Sequence, residues 1–156
     1  MSGDAWRIVE DDLSGAAIRA LLERHFAGML ANSPAESCHF LDFDGLRSDG
    51  VTFWSIHKDG ELAGCGALKM LGGAHGEIKS MRTHDAFLRQ GVAARMLAHI
   101  VGEARSRGLD RLSLETGSGP AFEPALALYA RHGFEECEPF ADYTPDPFSR
   151  FMTRAL

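Results

Sequence analysis

The run from Gly76 to Gly108 changes its hydrophobic period partway along, and that change leaves few folds open. Glu77, Ile78, Lys79, Ser80, Met81, Arg82 and Thr83 alternate loosely, with Ile78 and Met81 apolar, as in a strand buried on at least one face. From Gly91 the spacing is helical: Val92, Met96, Ile100 and Ala104 recur every fourth residue, flanked by Ala93, Leu97 and Val101. Arg105 and Arg107 suit the last turn of that helix, and Gly108 supplies its stop. Strand and helix meet in the turn Leu88-Arg89-Gln90-Gly91. A helix start presents unpaired N–H groups and the positive end of the macrodipole, both of which attract phosphate. Gly91 and Ala93 keep the backbone approachable and Arg89 adds a positive charge. An ordinary strand-to-helix turn has the same composition, so the join alone decides nothing.

The flanking segments give it a setting. Residues 51–57 are β-branched and aromatic, a turn follows at Asp59-Gly60, and 61–71 is the partner strand. With the strand carrying Glu77 this predicts a three-stranded antiparallel meander. Gly64 and Gly66 inside one strand predict a bulge or a close backbone approach, and Trp54 reads as core. Leu112 and Leu114 place another strand after the central helix, with Arg111, Ser113 and Glu115 on its other face. Strand–helix–strand requires a crossover, hence a parallel pair. Upstream, 5–9 reads as a short strand. Ser14 is expected to cap a helix reaching about Ala31, with Ala17, Leu21, Leu22, Phe26 and Leu30 as its apolar stripe. A short helix is expected over 40–46 and another over 121–132. The segments 134–140 and 148–155 should close the sheet as a hairpin-like pair.

One domain spanning 1–156 accommodates all of this. The net charge of −6 argues against nucleic-acid or anionic-membrane partners, so the local excess of Arg82, Arg89 and Arg95 points to a small anionic ligand. The first residues lack a signal-like apolar run, and no window approaches a membrane span. Cys38, Cys65 and Cys137 are too scattered for a disulfide framework, which suits a cytoplasmic protein. The seven His show no ligand spacing, so no metal is expected.

The pattern Arg/Gln-x-x-Gly-x-Gly/Ala behind a strand has two companions here. Glu77 lies fourteen positions before Gly91, and Ala125-Leu126-Ala127-Leu128-Tyr129-Ala130-Arg131-His132-Gly133-Phe134 reads as Ala-x-x-x-Tyr-x-x-x-Gly-Phe. Together they resemble the signatures of the GNAT N-acetyltransferases, specifically a branch of small bacterial members. Leu88 departs from the usual Arg or Gln, and Phe122 from the Asn that often precedes the Tyr run. The resemblance implies an α/β (α+β) acyl-CoA N-acyltransferase fold. Its sheet is mixed and mainly antiparallel, with helices on both faces and a splayed parallel pair in the middle. It also implies acetyl-CoA as co-substrate, bound by Met81, Arg82, Thr83, Leu88, Arg89, Gln90, Gly91, Val92, Ala93, Ala94, Arg95 and Tyr129. The acceptor would be a small amine or a peptide; a homodimer is common for such folds.

Acetyl transfer from a thioester to an amine needs a held diphosphate, a polarised carbonyl, a proton acceptor for the amine and a proton donor for the thiolate. The resemblance makes Glu77 the base, directly or through water, and Tyr129 the acid. The residues themselves allow Glu77 to be an ion-pair partner of Lys79, and Tyr129 to be a core aromatic, since Leu126, Tyr129 and Gly133 keep helical spacing. His25, Glu36, His39 and Glu115 are candidate acceptor contacts with plain solvated or capping roles as the alternative. His84-Asp85 reads as a turn. No His partners Cys65 or Cys137, which argues against a covalent acetyl-enzyme. Asp142 and Tyr143, in the Pro-rich loop 140–147, would favour a cationic acceptor if they lay beside it; a plain hairpin loop is the other reading. An acyl-CoA-binding sensor that has lost turnover is the competing function, and the presence of both Glu77 and Tyr129 speaks for the enzyme.

Overall fold

The computed structural model describes residues 5–37 and 41–156. Its centre is a seven-stranded mixed sheet in the order β1-β2-β3-β4-β5-β7-β6. The strands are β1 (Trp6–Glu10), β2 (Val51–Lys58), β3 (Glu61–Gly72), β4 (His75–Thr83), β5 (Arg111–Thr116), β6 (Glu135–Glu136) and β7 (Arg150–Ala155). The helices are α1 (Ala16–Asn32), α2 (Phe43–Leu46), α3 (Val92–Ser106) and α4 (Glu123–Arg131). β1 to β4 pair antiparallel, β2 to β3 and β3 to β4 through the tight turns that join them. The α3 crossover makes β4 and β5 parallel, and β7 returns antiparallel between β5 and β6.

Alternation along the strands splits the core in two. Trp54, Ile56 and Ile78 pack with Met96, Leu97 and Ile100 of α3 and Tyr129 of α4 on one face. Phe53, Cys65 and Ala67 pack with Ile18, Leu21 and Leu22 of α1 on the other. Helices thus cover both faces, and the mixed sheet with its central parallel pair is the expected architecture.

Several local expectations give way. Gly15, not Ser14, is the residue before α1 and makes no side-chain cap; the Ser14 hydroxyl bonds Asp12 instead. The buried stripe of α1 is Ile18, Leu21, Leu22 and His25, while Leu30 is 57% exposed and Ala17 lies outward. The expected 121–132 helix divides into a 3-10 turn at Pro120–Phe122 and α4, because Pro124 enters at the first helical turn. The expected strand over 134–140 shrinks to Glu135–Glu136. Of the short helix expected over 40–46 only Phe43–Leu46 forms, capped by Asp42; Phe40, like Cys38 and His39, lies outside the described residues.

β3 and β4 hold the feature that shapes the site. Ala67 faces Lys79 and Cys65 faces Arg82, so Ser80 and Met81 together oppose Gly66, with Ser80 at φ +57°. This is a bulge on β4, and it reverses the strand's alternation. Before it, Glu77 and Lys79 share a face; after it Arg82 rather than Met81 turns to α1. A Cβ on Gly66 would meet Met81 Sδ at 2.8 Å and Met96 Cγ at 2.7 Å, whereas one on Gly28 of α1 would meet Arg82 Nη1 at 3.5 Å. Both the bulge and the close approach expected from Gly64 and Gly66 are present, although the extra residue sits on the neighbouring strand.

Candidate active site

β4 and β5 are paired only at His75–Arg111, Gly76–Leu112 and Glu77–Ser113. Beyond Glu77 the two strands part, and a cavity of about 760 Å³ opens between them. β4 supplies Ile78 to Thr83 and β5 supplies Leu114, Glu115 and Thr116. The far walls are Leu88, Arg89 and Gly91 to Ala94 from the start of α3, and Ala125, Leu128, Tyr129 and Arg131 from α4. α1 closes the remaining side with His25, Gly28, Met29 and Asn32.

The turn into α3 is built from left-handed backbone: Arg89 has φ +64° and Gly91, the N-cap, φ +83°. Gly91 takes this conformation at no steric cost, and its missing side chain leaves the helix start open. The first internal bond of α3 runs from Arg95 N–H to the Gly91 carbonyl, so the N–H groups of Val92, Ala93 and Ala94 have no partner within the helix. Successive amides in such a turn form an anion-binding concavity. An extended amide-bearing arm fits the same cavity, because the parted edges of β4 and β5 carry backbone donors and acceptors with no sheet partner across the gap. The residues present therefore fit a coenzyme A ester.

Most residues expected to contact the cofactor line this cavity. Two do not. Gln90 accepts a 2.7 Å bond from Lys58 Nζ, and Arg95 lays its guanidinium 4.4 Å from the Trp6 ring centre. Neither side chain lines the cavity, although the Arg95 guanidinium stays 3.8 Å from where a Cβ on Gly91 would lie; Arg89 is the cation of the turn that does line it. Tyr129 is 6% exposed, edge-on to Phe134 at 5.7 Å, and burial pushes its phenol well above the ordinary tyrosine range. It stays protonated at neutral pH and faces the cavity as a donor.

Glu77 is placed differently. It is 2% exposed and does not line the cavity. The Tyr143 hydroxyl donates to its Oε2 at 2.5 Å, and Lys79 Nζ approaches the same oxygen at 3.3 Å while also donating to Tyr143 at 2.8 Å. Lys79 lines the cavity, so this cluster reaches the opening through its cation. Around it Tyr143 and Phe140 stack against Phe151, and His75 bonds Ser113 at 2.6 Å. The loop after β6 therefore covers the strand face that carries Ser113, and Ser113 is buried. Asp142 borders a second, smaller hollow with Lys69 and His75, away from the main cavity.

The other candidates divide. His25 lines the cavity, buried, and its pKa is lowered to about 4 by loss of hydration and by nearby Arg82. Glu36 is exposed outside the cavity, and His39 lies outside the described residues. Glu115 and the buried Phe122 both line the wall. His84 caps the 3-10 turn Asp85–Phe87 through Nδ1, as expected of a turn. Burial raises the Cys65 thiol to about 12, which suits an inert core cysteine. Sequence reasoning missed Ser80 and Arg131. The helical spacing Leu128, Tyr129, Arg131 around the recognised Tyr was the available signal for the second.

The comparisons agree with this geometry. A family model described as "Acetyltransferase (GNAT) family" matches residues 16–134. The chain is 55% identical over 146 residues to the uncharacterized N-acetyltransferase YsnE of Bacillus subtilis (strain 168), covering 94% of this chain and 97% of that protein. It is 52% identical over 149 residues to the uncharacterized N-acetyltransferase YedL of Escherichia coli (strain K12), covering 96% and 94%. Among solved structures, a Bacillus subtilis acetyltransferase in complex with CoA superposes with a TM-score of 0.72 at 16% identity, covering 97% of this chain and 99% of that one. With the parted parallel strands, the amide-rich turn and Tyr129 already in place, a family match over most of its length means that this chain belongs to the GNAT acetyltransferase family.

Proposed function

We propose that this chain is a cytoplasmic acetyl-CoA-dependent N-acetyltransferase, moving an acetyl group to a primary amine of a small molecule or protein by direct attack in a ternary complex. The observation that carries the reading is one cavity joining the open amides of α3, the parted edges of β4 and β5, and the Tyr129 phenol. The thioester supplies an activated acyl group; the chain supplies position and protons. Arg89 and the N–H groups of Val92, Ala93 and Ala94 hold the diphosphate. Met81, Arg82 and Thr83 pair through their backbone with the pantetheine amides. The bulge at Ser80 and Met81 takes this backbone out of the regular ladder, which leaves an N–H near position 81 to polarise the thioester oxygen.

As nitrogen bonds to the acyl carbon and the C–S bond breaks, one proton leaves the amine and one reaches the sulfur. Tyr129 gives the second. Glu77 takes the first through water at the Lys79 edge, because its carboxylate is held back from the cavity. That same engagement is the specific observation favouring an acyl-CoA-binding module without turnover.

Titration with acetyl-CoA, followed by thiol-release assays over amino acids, polyamines, aminoglycosides and peptides, separates the readings. Micromolar binding with thiol release dependent on an amine is the expected result. Binding with no release for any amine would favour the sensor, and no binding would end both.

A further inference from the structure

The cavity is lined by more cations than anions in a protein whose net charge is −6. Lys79, Arg82, Arg89 and Arg131 line it against two carboxylates, Asp85 and Glu115. Arg89 belongs to the turn that faces the diphosphate. Arg82 does not: the bulge at Ser80 sends its side chain to the opposite face, against Gly28 of α1 and beside the buried His25.

Arg82 is poorly matched within the protein. Its ion pair is a 3.8 Å contact to Asp85, an acid that Arg24 also engages. Its Nε–H is buried with no hydrogen-bond partner among the described residues, and the same is true of Ser80 Oγ, which lines the same cavity. Buried donors are nearly always satisfied, and the rest of the Arg82 side chain, 28% exposed, reaches the cavity, where a ligand can bring acceptor atoms. Arginine's planar fork matches a carboxylate. His25, which α1 contributes to this wall, is neutral and adds no charge, so the carboxylate already beside Arg82 is the shared Asp85. Asp142 and Tyr143, the groups that would have drawn a cation, lie off the cavity lining.

We infer that the acceptor is an amine that also carries a carboxylate, as an amino acid does, with the carboxylate on Arg82 and Ser80. This rests on the acetyltransferase reading and narrows it. The amine is then held toward the gap between β4 and β5, where the acyl end of the cofactor would lie.

The test sets a panel of amino acids against their own carboxamides in the thiol-release assay. A parallel calorimetric titration adds N-acetyl amino acids and N-acetyl amino acid amides to protein saturated with CoA. The acids should exceed the amides in kcat/KM, and in affinity as products, by roughly 10- to 100-fold, the range of a hydrogen-bonded charge. Arg82→Gln should bring that ratio close to one, and Arg82→Lys should recover part of it. Equal acid and amide, or a preference that survives Arg82→Gln, would overturn the inference, as would the absence of both turnover and acid binding. Arg82-dependent binding of N-acetyl acids without any turnover would uphold it and sink the acetyltransferase reading instead.

Discussion

The Tyr143 hydroxyl donates to Glu77 across 66 residues of sequence, tying the loop between β6 and β7 to the last position at which β4 pairs with β5. Burial and the Glu77 anion both push the Tyr143 phenol up, so it keeps its proton, donating to Glu77 while accepting from Lys79. Tyr143→Phe leaves the buried carboxylate with Lys79 alone among these two donors. Unfolding in urea should show a loss of about 1–3 kcal/mol, the cost of an under-satisfied buried acceptor. A midpoint unchanged from wild type would show that the loop holds itself in place.

Tyr129→Phe removes one hydroxyl and keeps the ring that meets Phe134. Acetyl-CoA affinity should stay within about twofold, while turnover falls by roughly one to three decades. Equal turnover in the two proteins would take Tyr129 out of the chemistry and leave it as packing.

Gly91→Glu places an anion at the mouth of the amide-rich turn and a side chain where φ is +83°. Cofactor titration should find no measurable binding, by like charge and by crowding. Retained affinity would place the diphosphate elsewhere.

Gly64 carries a stricter constraint. A Cβ there would lie 2.6 Å from the Arg82 carbonyl and 2.8 Å from Val92 Cγ1, so β4 must shift beside the cavity. Gly64→Ala should cost on the order of 1–3 kcal/mol in thermal or urea melts and also weaken acetyl-CoA binding. Damage to stability alone would separate this position from the site.

His25 sets a pH dependence. Burial first, and Arg82 second, lower its pKa from 6.5 to about 4, so the folded protein takes up this proton less readily than the unfolded chain. Its contribution is intact above about pH 6.5 and is lost as pH falls from there toward 4, by up to about 3 kcal/mol. His75 and His99 are lowered too, mainly by burial, and add to the same slope. In His25→Gln, melting temperature should fall less steeply between pH 6.5 and 4. An identical slope would assign the effect to other groups.

What the sequence made legible follows from how local each signal is. The strand, the Gly91 turn and α3 were readable because their period and their stop lie within one stretch, and Tyr129 because its spacing to Gly133 and Phe134 is fixed by one helix turn. The α1 stripe was right at Leu21, Leu22 and Phe26 but missed Ile18 and His25 and took in Ala17 and Leu30, because a neutral His occupies a buried slot while Leu30 stands in solvent. The bulge was legible only by proxy: Ser80 adopts φ +57° without being a glycine, and it is Gly66 opposite that betrays the crowding. Nothing local could reveal that Tyr143 closes over Glu77. With the bulge's place on β4 unseen, the direction of Arg82 was beyond reach.

Arg150–Ala155 occupies an interior slot of the sheet, hydrogen-bonded to β5 on one side and to β6 on the other. Were this strand to detach, β5, with its apolar Leu112 and Leu114, would present a bare edge to whatever strand is nearby. Completion of the sheet and protection from edge-to-edge aggregation are therefore one event in this topology.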